Sequence, residues 1–387
     1  MLVYIIATIL TGLIMLPAQH YYKKHKEVIS SNNGLLSNKV SNYGIICFLL
    51  FVLAAMPYFF VSAFRSVVGT DFYSYYRLEY YYMYYNSDPE AEFGYNFLVK
   101  FLANFTYNPQ WFFIITSFLF CLFIFISIKR YTNHWALAGV LVMVSCTLFD
   151  SFNNVRQSLA LAFGICGLSY ACDKKYIRSV VLLFFAYSFH RTVLFIAPLY
   201  LIGGIKSLRK TYYFLAVIIM LGTPFYIDFL KLILSGTKYA NYFDWPLRDD
   251  NYFWFLIIQQ APILLFVLRY YNELSKKNNK MFILAIANVI ATVSSIIAIR
   301  SPAVEPMFRV YRWFNWPLIF IIPMMLDIDE PIYSRVAYIV LSMIFLIVPL
   351  YFMIVVNFFH EVYPYNSYFE ELVYAVKTSV CNLAIIT

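Results

Sequence analysis

The chain has 387 residues, of which 62% are hydrophobic, 21% aromatic and only 13% charged. A soluble domain carries about 25% charged residues, so this composition excludes a water-facing exterior and points to an all-α, polytopic transmembrane bundle. The net charge of +9 does not indicate nucleic acid, because the basic residues fall in small clusters between apolar runs, and the six cysteines show no metal-ligand spacing.

A membrane-crossing helix needs about 20 apolar residues. Runs that meet or approach this length lie near 2–19, 43–64, 109–128, 135–150, 156–172, 177–190, 191–205, 211–230, 252–271, 281–299, 313–326 and 335–357. These twelve crossings, some of them short, fill a single integral membrane domain over 1–387. No basic stretch precedes the first run, which reads as a retained span rather than a cleaved signal.

Lys and Arg concentrate in cytoplasmic loops and set the orientation. The groups in 20–42, at Lys129–Arg130, Lys174–Arg178, Lys206–Lys210, Arg269–Lys280 and Arg335 share one side only if 177–205 crosses twice, which requires an outward turn near His190. Those groups hold twelve Lys and five Arg, whereas the remaining basic residues are four Lys and eight Arg. Topology needs only positive charge; Arg adds a planar fork for bidentate binding of phosphate or carboxylate. The outer face therefore reads as built for anions. Its long segments are 65–108, 231–251 and a periplasmic or interfacial tail at 358–387.

Five constellations carry candidate chemistry. Arg65 with Asp71, separated by a turn at Gly69, offers an anion ligand and a carboxylate, or else a snorkelling Arg and a solvated loop. The run Phe72–Tyr85 holds eight tyrosines, suited to an interfacial belt or to sugar stacking, and an acidic stretch (Asp88, Glu90, Glu92) follows it. Asn153-Asn154-Val155-Arg156-Gln157, just after Asp150, breaks two apolar runs with polar groups, which at membrane depth usually face a cavity. His190-Arg191 marks a candidate base beside an anion ligand, or a histidine satisfied in packing. Arg300, Arg309 and Arg312 bracket Glu305; if 309–312 opens a span, Arg309 and Arg312 share a helix face, as a diphosphate clamp or a salt-bridged turn. Soluble-enzyme phosphate loops, zinc helices and nucleophile elbows are absent from the sequence.

On these residues the chain resembles the EpsG-like family, related to Wzy-type O-antigen and capsule polymerases. The carrying motifs are Arg65 with Gly69-Thr70-Asp71 and Tyr75, Glu92-Phe93-Gly94-Tyr95, Asn154-Val155-Arg156-Gln157, Phe189-His190-Arg191-Thr192 and, more thinly, Arg309-Val310-Tyr311. One departure is the Phe after Glu92, where the family more often has Pro. The resemblance implies a metal-independent, cofactor-free membrane glycosyltransferase in a bacterial inner membrane, with its active site facing the periplasm. Its expected substrates are undecaprenyl-diphosphate-linked oligosaccharides held among membrane lipid, and a chain-length-regulating membrane protein is an expected partner. Arg65, Arg156, Arg191, Arg300, Arg309 and Arg312 are the expected diphosphate ligands, and His190 or Asp71 the base. Tyr75, Glu92, Asn154, Gln157 and Glu305 are expected around the acceptor. An O-antigen ligase shares this chemistry, and a flippase is a rival of a different class. A flippase should show charge through its full depth and related halves.

Overall fold

The computed structural model describes residues 1–30, 37–85, 92–202, 252–300, 304–356 and 361–369. Among them the chain is helical, with one isolated antiparallel bridge between Arg65 and Ser367. A lipid-facing backbone must satisfy its polar groups within its own segment, and helices do so.

Six helices are long and apolar enough to cross a membrane: α1 (Leu2–Ser30), α2 (Ser37–Ala63), α5 (Gln110–Tyr131), α8 (Val155–Cys172), α11 (Tyr252–Lys277) and α15 (Ile332–Tyr351) with its π-helical extension to Val356. A seventh candidate is the pair α6 (Trp135–Val144) and α7 (Thr147–Asn153), bent by 45° as in a broken span or a re-entrant loop. The anticipated 135–150 span is this broken pair. Of the other anticipated spans, 177–190 and 313–326 are the shorter apolar helices α9 (Tyr176–Phe189) and α14 (Pro317–Met324), while 281–299 is α12 (Met281–Arg300). The 191–205 span begins as a 3-10 turn at Arg191–Phe195 and continues as α10 (Ala197–Ile202). The span 211–230 and the outer segment 231–251 lie outside the described residues, as does the tail beyond 369.

Within the long segment 65–108 the described residues include two helices, α3 (Phe72–Tyr85) and α4 (Phe93–Ala103). Arg309 and Arg312 do not open a span: they sit on α13 (Val304–Phe314), which stops before Pro317 starts α14.

Helix α8 is the axis of the bundle. Its apolar stretch is 89% buried, against 22% for that of α2, so α2 faces lipid and α8 faces protein. After His190 the chain doubles back along α8: Ile196 packs on Gly164, where a Cβ would stand 2.6 Å from its Cδ1, and the Tyr200 hydroxyl donates to the Gly164 carbonyl at 2.6 Å. The turn expected at His190 is therefore present, and Phe189 stacks on Phe163, two turns into α8.

Lys206–Lys210 lies outside the described residues; among the described residues the basic groups assigned to one side gather at one end of the bundle. There Lys280 meets Asp173 at 3.0 Å, the Asn278 amide donates to the Tyr131 carbonyl at 2.7 Å, and His134 meets Asp327 at 2.8 Å. At the opposite end the Tyr4 hydroxyl donates to the Val362 carbonyl at 2.6 Å, and the tail crosses the end of α2. The described residues of the five constellations lie at this second end.

Candidate active site

The junction of α7 and α8 is the hub of the site. Cys146, in the left-handed region at φ 63°, turns the chain out of α6, and Asn154 (φ −100°, ψ 53°) separates α7 from α8. Asn and similar side chains compete with helical hydrogen bonding, so the polar run Asp150–Gln157 breaks the span where an apolar sequence would continue it. Glu92, His190, Arg309, Arg312 and the backbone of Asp71 attach here.

Glu92 precedes α4 in an extended conformation and does not cap it. Its carboxylate turns to the hub instead. Arg156 Nη1 donates to Oε2 at 2.9 Å, and His190 Nδ1 lies 3.2 Å from Oε1. The Arg191 backbone N–H reaches the same Oε1 at 3.4 Å. The carboxylate is only 14% exposed, whereas Arg156 is 34% exposed and sits over the Tyr95 ring at 5.1 Å. Burial pushes the Glu92 carboxyl up, but the His190 imidazole, the residue's own backbone N–H and the charge of Arg156 outweigh it and bring it down to about 2. Glu92 is thus a fixed anion.

His190 lies between Glu92 and Trp313. Its ring stacks on Trp313 at 6.1 Å and 14°, and Trp313 Nε1 donates to the Thr192 hydroxyl at 3.1 Å. Nδ1 is buried and faces the Glu92 carboxylate, while Nε2 makes no hydrogen bond among the described residues.

Below lies a second polar layer. Gln157 Nε2 is 3.4 Å from the Arg309 carbonyl, and Arg312 Nε is 3.5 Å from Asp150 Oδ1. Asp150, Asn154, Gln157, Arg312 and Asn315 help line an enclosed cavity of about 10 Å³, room for one water. Asn154 and Gln157 therefore belong to this layer rather than to an open surface.

Arg65 stands apart. It is fully buried, donating to the Ser62 carbonyl at 2.5 Å and the Phe152 carbonyl at 3.2 Å, with its guanidinium between the Phe113 and Phe152 rings. The tail covers it: Ser66 N–H donates to the Asn366 carbonyl, and Tyr368 N–H to the Phe64 carbonyl. Asp71 is tied to the hub by its backbone N–H, which donates to Asn153 Oδ1 at 3.2 Å. Tyr75 stacks on Phe112 at 5.9 Å rather than on the Glu92 cluster. The side chains of Arg300 and Glu305 lie outside the described residues.

The structure thus gathers His190, Arg156, Glu92 and Arg191, sets Arg309, Arg312, Gln157 and Asn154 beneath them, and separates Arg65. Sequence reasoning missed Trp313 and the tail over Arg65. Trp313 follows Arg312 directly on α13, but its partner His190 lies 123 positions upstream, beyond local pattern.

Residues 48–367 match the EpsG family. The chain belongs to this family. The matched stretch contains every described residue of the site and ends in the tail segment that bridges Arg65. EpsG is a Wzy-like polymerase family, and with the membrane-helical architecture this membership fits a membrane polysaccharide polymerase-like function. Nothing matches among curated proteins, and nothing among solved structures.

Proposed function

We propose that this EpsG-family protein polymerises undecaprenyl-diphosphate-linked oligosaccharide repeat units into O-antigen or a related surface polysaccharide, at the periplasmic face of the inner membrane. The observation that carries the reading is the Glu92 carboxylate bridging His190 and Arg156 at a broken span. The site lies opposite the Lys-rich end, which the charge rule assigns to the cytoplasm.

In this reading the acceptor hydroxyl attacks the anomeric carbon of the donor glycan, and the bond from that carbon to the diphosphate oxygen breaks. His190 Nε2 takes the hydroxyl proton. Glu92 holds the imidazole in the required tautomer and stabilises the imidazolium, as a carboxylate does in a catalytic triad. Arg156 and the exposed Arg191 offer donors to the departing diphosphate; Arg156 uses only Nη1 on Glu92, and its other donors remain for the ligand. Preorganised charge of this kind supplies about 10²–10³ in rate per donor. Arg65, enclosed by aromatic rings, positions the hub instead of touching substrate.

The test uses purified protein and lipid-linked repeats without an ion gradient. Wild type lengthens the lipid-linked glycan, and Arg156→Ala, inserted at normal levels, does not. Normal lengthening by Arg156→Ala removes the proposed role, and no lengthening by wild type removes the polymerase reading.

A further inference from the structure

The Lys-rich end of the bundle carries an open cleft of about 580 Å³ that the proposed reaction does not use. Five cations line it: Lys26, Lys129, Arg130, Lys277 and Lys280. Three of them are matched. Arg130 and Lys280 share Asp173 at 2.6 and 3.0 Å, and Lys277 pairs with Asp329 and Glu273 at 2.8 and 3.2 Å.

Lys26 and Lys129 meet no carboxylate among the described residues. Their ammonium groups instead converge on one ring, at 4.7 and 5.5 Å from the centroid of Tyr22. Two like charges brought to one aromatic side chain leave a local excess that an anion relieves. A positive-inside bias explains the presence of lysines at this end, but not their convergence across two helices.

A second feature decides the chemistry of that anion. Tyr22 and Lys129 also line a neighbouring cavity of about 150 Å³ between α1 and α2, whose other walls include Gly44, Cys47, Phe48 and Phe51. Phe48 is 65% exposed on the lipid-facing side of α2. A basic cleft therefore shares two walls, Tyr22 and Lys129, with a largely apolar groove that His25 also lines, the layout of a headgroup beside an acyl chain.

We propose that this end of the bundle holds an anionic phospholipid, its phosphate between Lys26 and Lys129 and its acyl chain along Cys47, Phe48 and Phe51. The site is separate from the Glu92 cluster, at the opposite end of the helices, and stands whether or not that cluster performs glycosyl transfer.

The full-length protein, delipidated in detergent, is titrated with phosphatidylglycerol, phosphatidylcholine or inorganic pyrophosphate and read by native mass spectrometry. Wild type retains phosphatidylglycerol over phosphatidylcholine. The Lys26→Gln/Lys129→Gln double variant loses about 25-fold in phosphatidylglycerol affinity, at roughly fivefold per lysine, and the double Arg variant keeps it. If the double Gln variant does not accumulate, Lys26→Gln alone, at an exposed position, shows about a fivefold loss. Equal retention of both lipids, or unchanged binding in the Gln variants, overturns the proposal. Pyrophosphate binding without a lipid preference overturns it too, in favour of a soluble phosphate ligand.

Discussion

Glu92 and Arg156, 64 positions apart in the chain, are joined by a 2.9 Å bond between Oε2 and Nη1 that ties the segment before α4 to the start of α8. The same carboxylate faces His190, so one anion sets the geometry of both an imidazole and a guanidinium. This triangle joins the first turn of α8 to two residues outside regular structure, Glu92 and His190. Its strength therefore rests on electrostatics more than on backbone pairing.

That dependence gives a pH signature. The Glu92 carboxyl is held at about 2, against an ordinary 4.5, so its ionised form is favoured in the folded state. A depressed carboxylate contributes stability that is complete above its unfolded value and disappears as pH falls through its folded one. Glu92→Gln should therefore unfold at lower temperature than wild type near neutrality, by the equivalent of about 1.5–3 kcal/mol for a lost charge-assisted bond. The gap should persist down to pH 4.5 and close as pH falls toward about 2. Thermal unfolding in detergent at a series of pH values checks it; a gap that is the same throughout would remove the ionised carboxylate as its cause.

Much of this was legible beforehand, and for identifiable reasons. The break at Asp150–Gln157 announced itself because polar residues interrupt apolar runs, and the return at His190 followed from the sidedness of Lys and Arg. The role of Glu92 was less visible, because an acidic residue in a long hydrophilic segment usually faces water. Only the α3–α4 pair, folded back on the bundle, brings it to Arg156. Arg65 misled for the opposite reason: an Arg at the end of a span resembles an exposed anion ligand, yet Phe113 and Phe152 enclose it and the tail covers it. Those partners come from α5, α7 and a segment some 300 residues downstream, beyond the reach of local pattern.

Arg65 and Arg156 should accordingly fail in different ways. Removing the Arg65 guanidinium leaves the Ser62 and Phe152 carbonyls without their donor and opens a gap between two rings. Each unsatisfied buried group costs about 1–3 kcal/mol. Arg65→Met should lower the yield of folded protein and its unfolding temperature, whereas Arg156→Ala keeps the yield, loses lengthening, and lowers the unfolding temperature only by the one bond to Glu92, about 1.5–3 kcal/mol. Fluorescence size-exclusion profiles with melting curves distinguish the two; normal stability of Arg65→Met would return Arg65 to the list of surface ligands.

Gly69 tests how tightly α3 is fastened to the hub. Its φ of 106° is one that side-chain-bearing residues rarely adopt, and a Cβ there would stand 2.7 Å from Asn153 Oδ1. The clash falls on the acceptor of the Asp71 backbone N–H. Gly69→Ala should destabilise by about 1–3 kcal/mol through backbone strain, with faster amide exchange over Asp71–Tyr75. Unchanged exchange in that segment would show that the turn adapts without disturbing Asn153.

His190 gives the sharpest division between holding and reacting. Gln at this position can still donate to the Glu92 carboxylate, so the triangle with Arg156 survives, but an amide cannot accept the acceptor-hydroxyl proton. A positioned base contributes about 10²–10⁴-fold. His190→Gln should therefore lower kcat for glycan lengthening by that range while leaving KM for the lipid-linked donor and the melting temperature near their wild-type values. A structural histidine would behave otherwise: Gln would preserve the rate, and the loss would appear only in His190→Ala, together with reduced stability. The comparison of kcat, KM and melting temperature across the two variants decides between the roles, because only proton transfer separates the rate from the other two quantities.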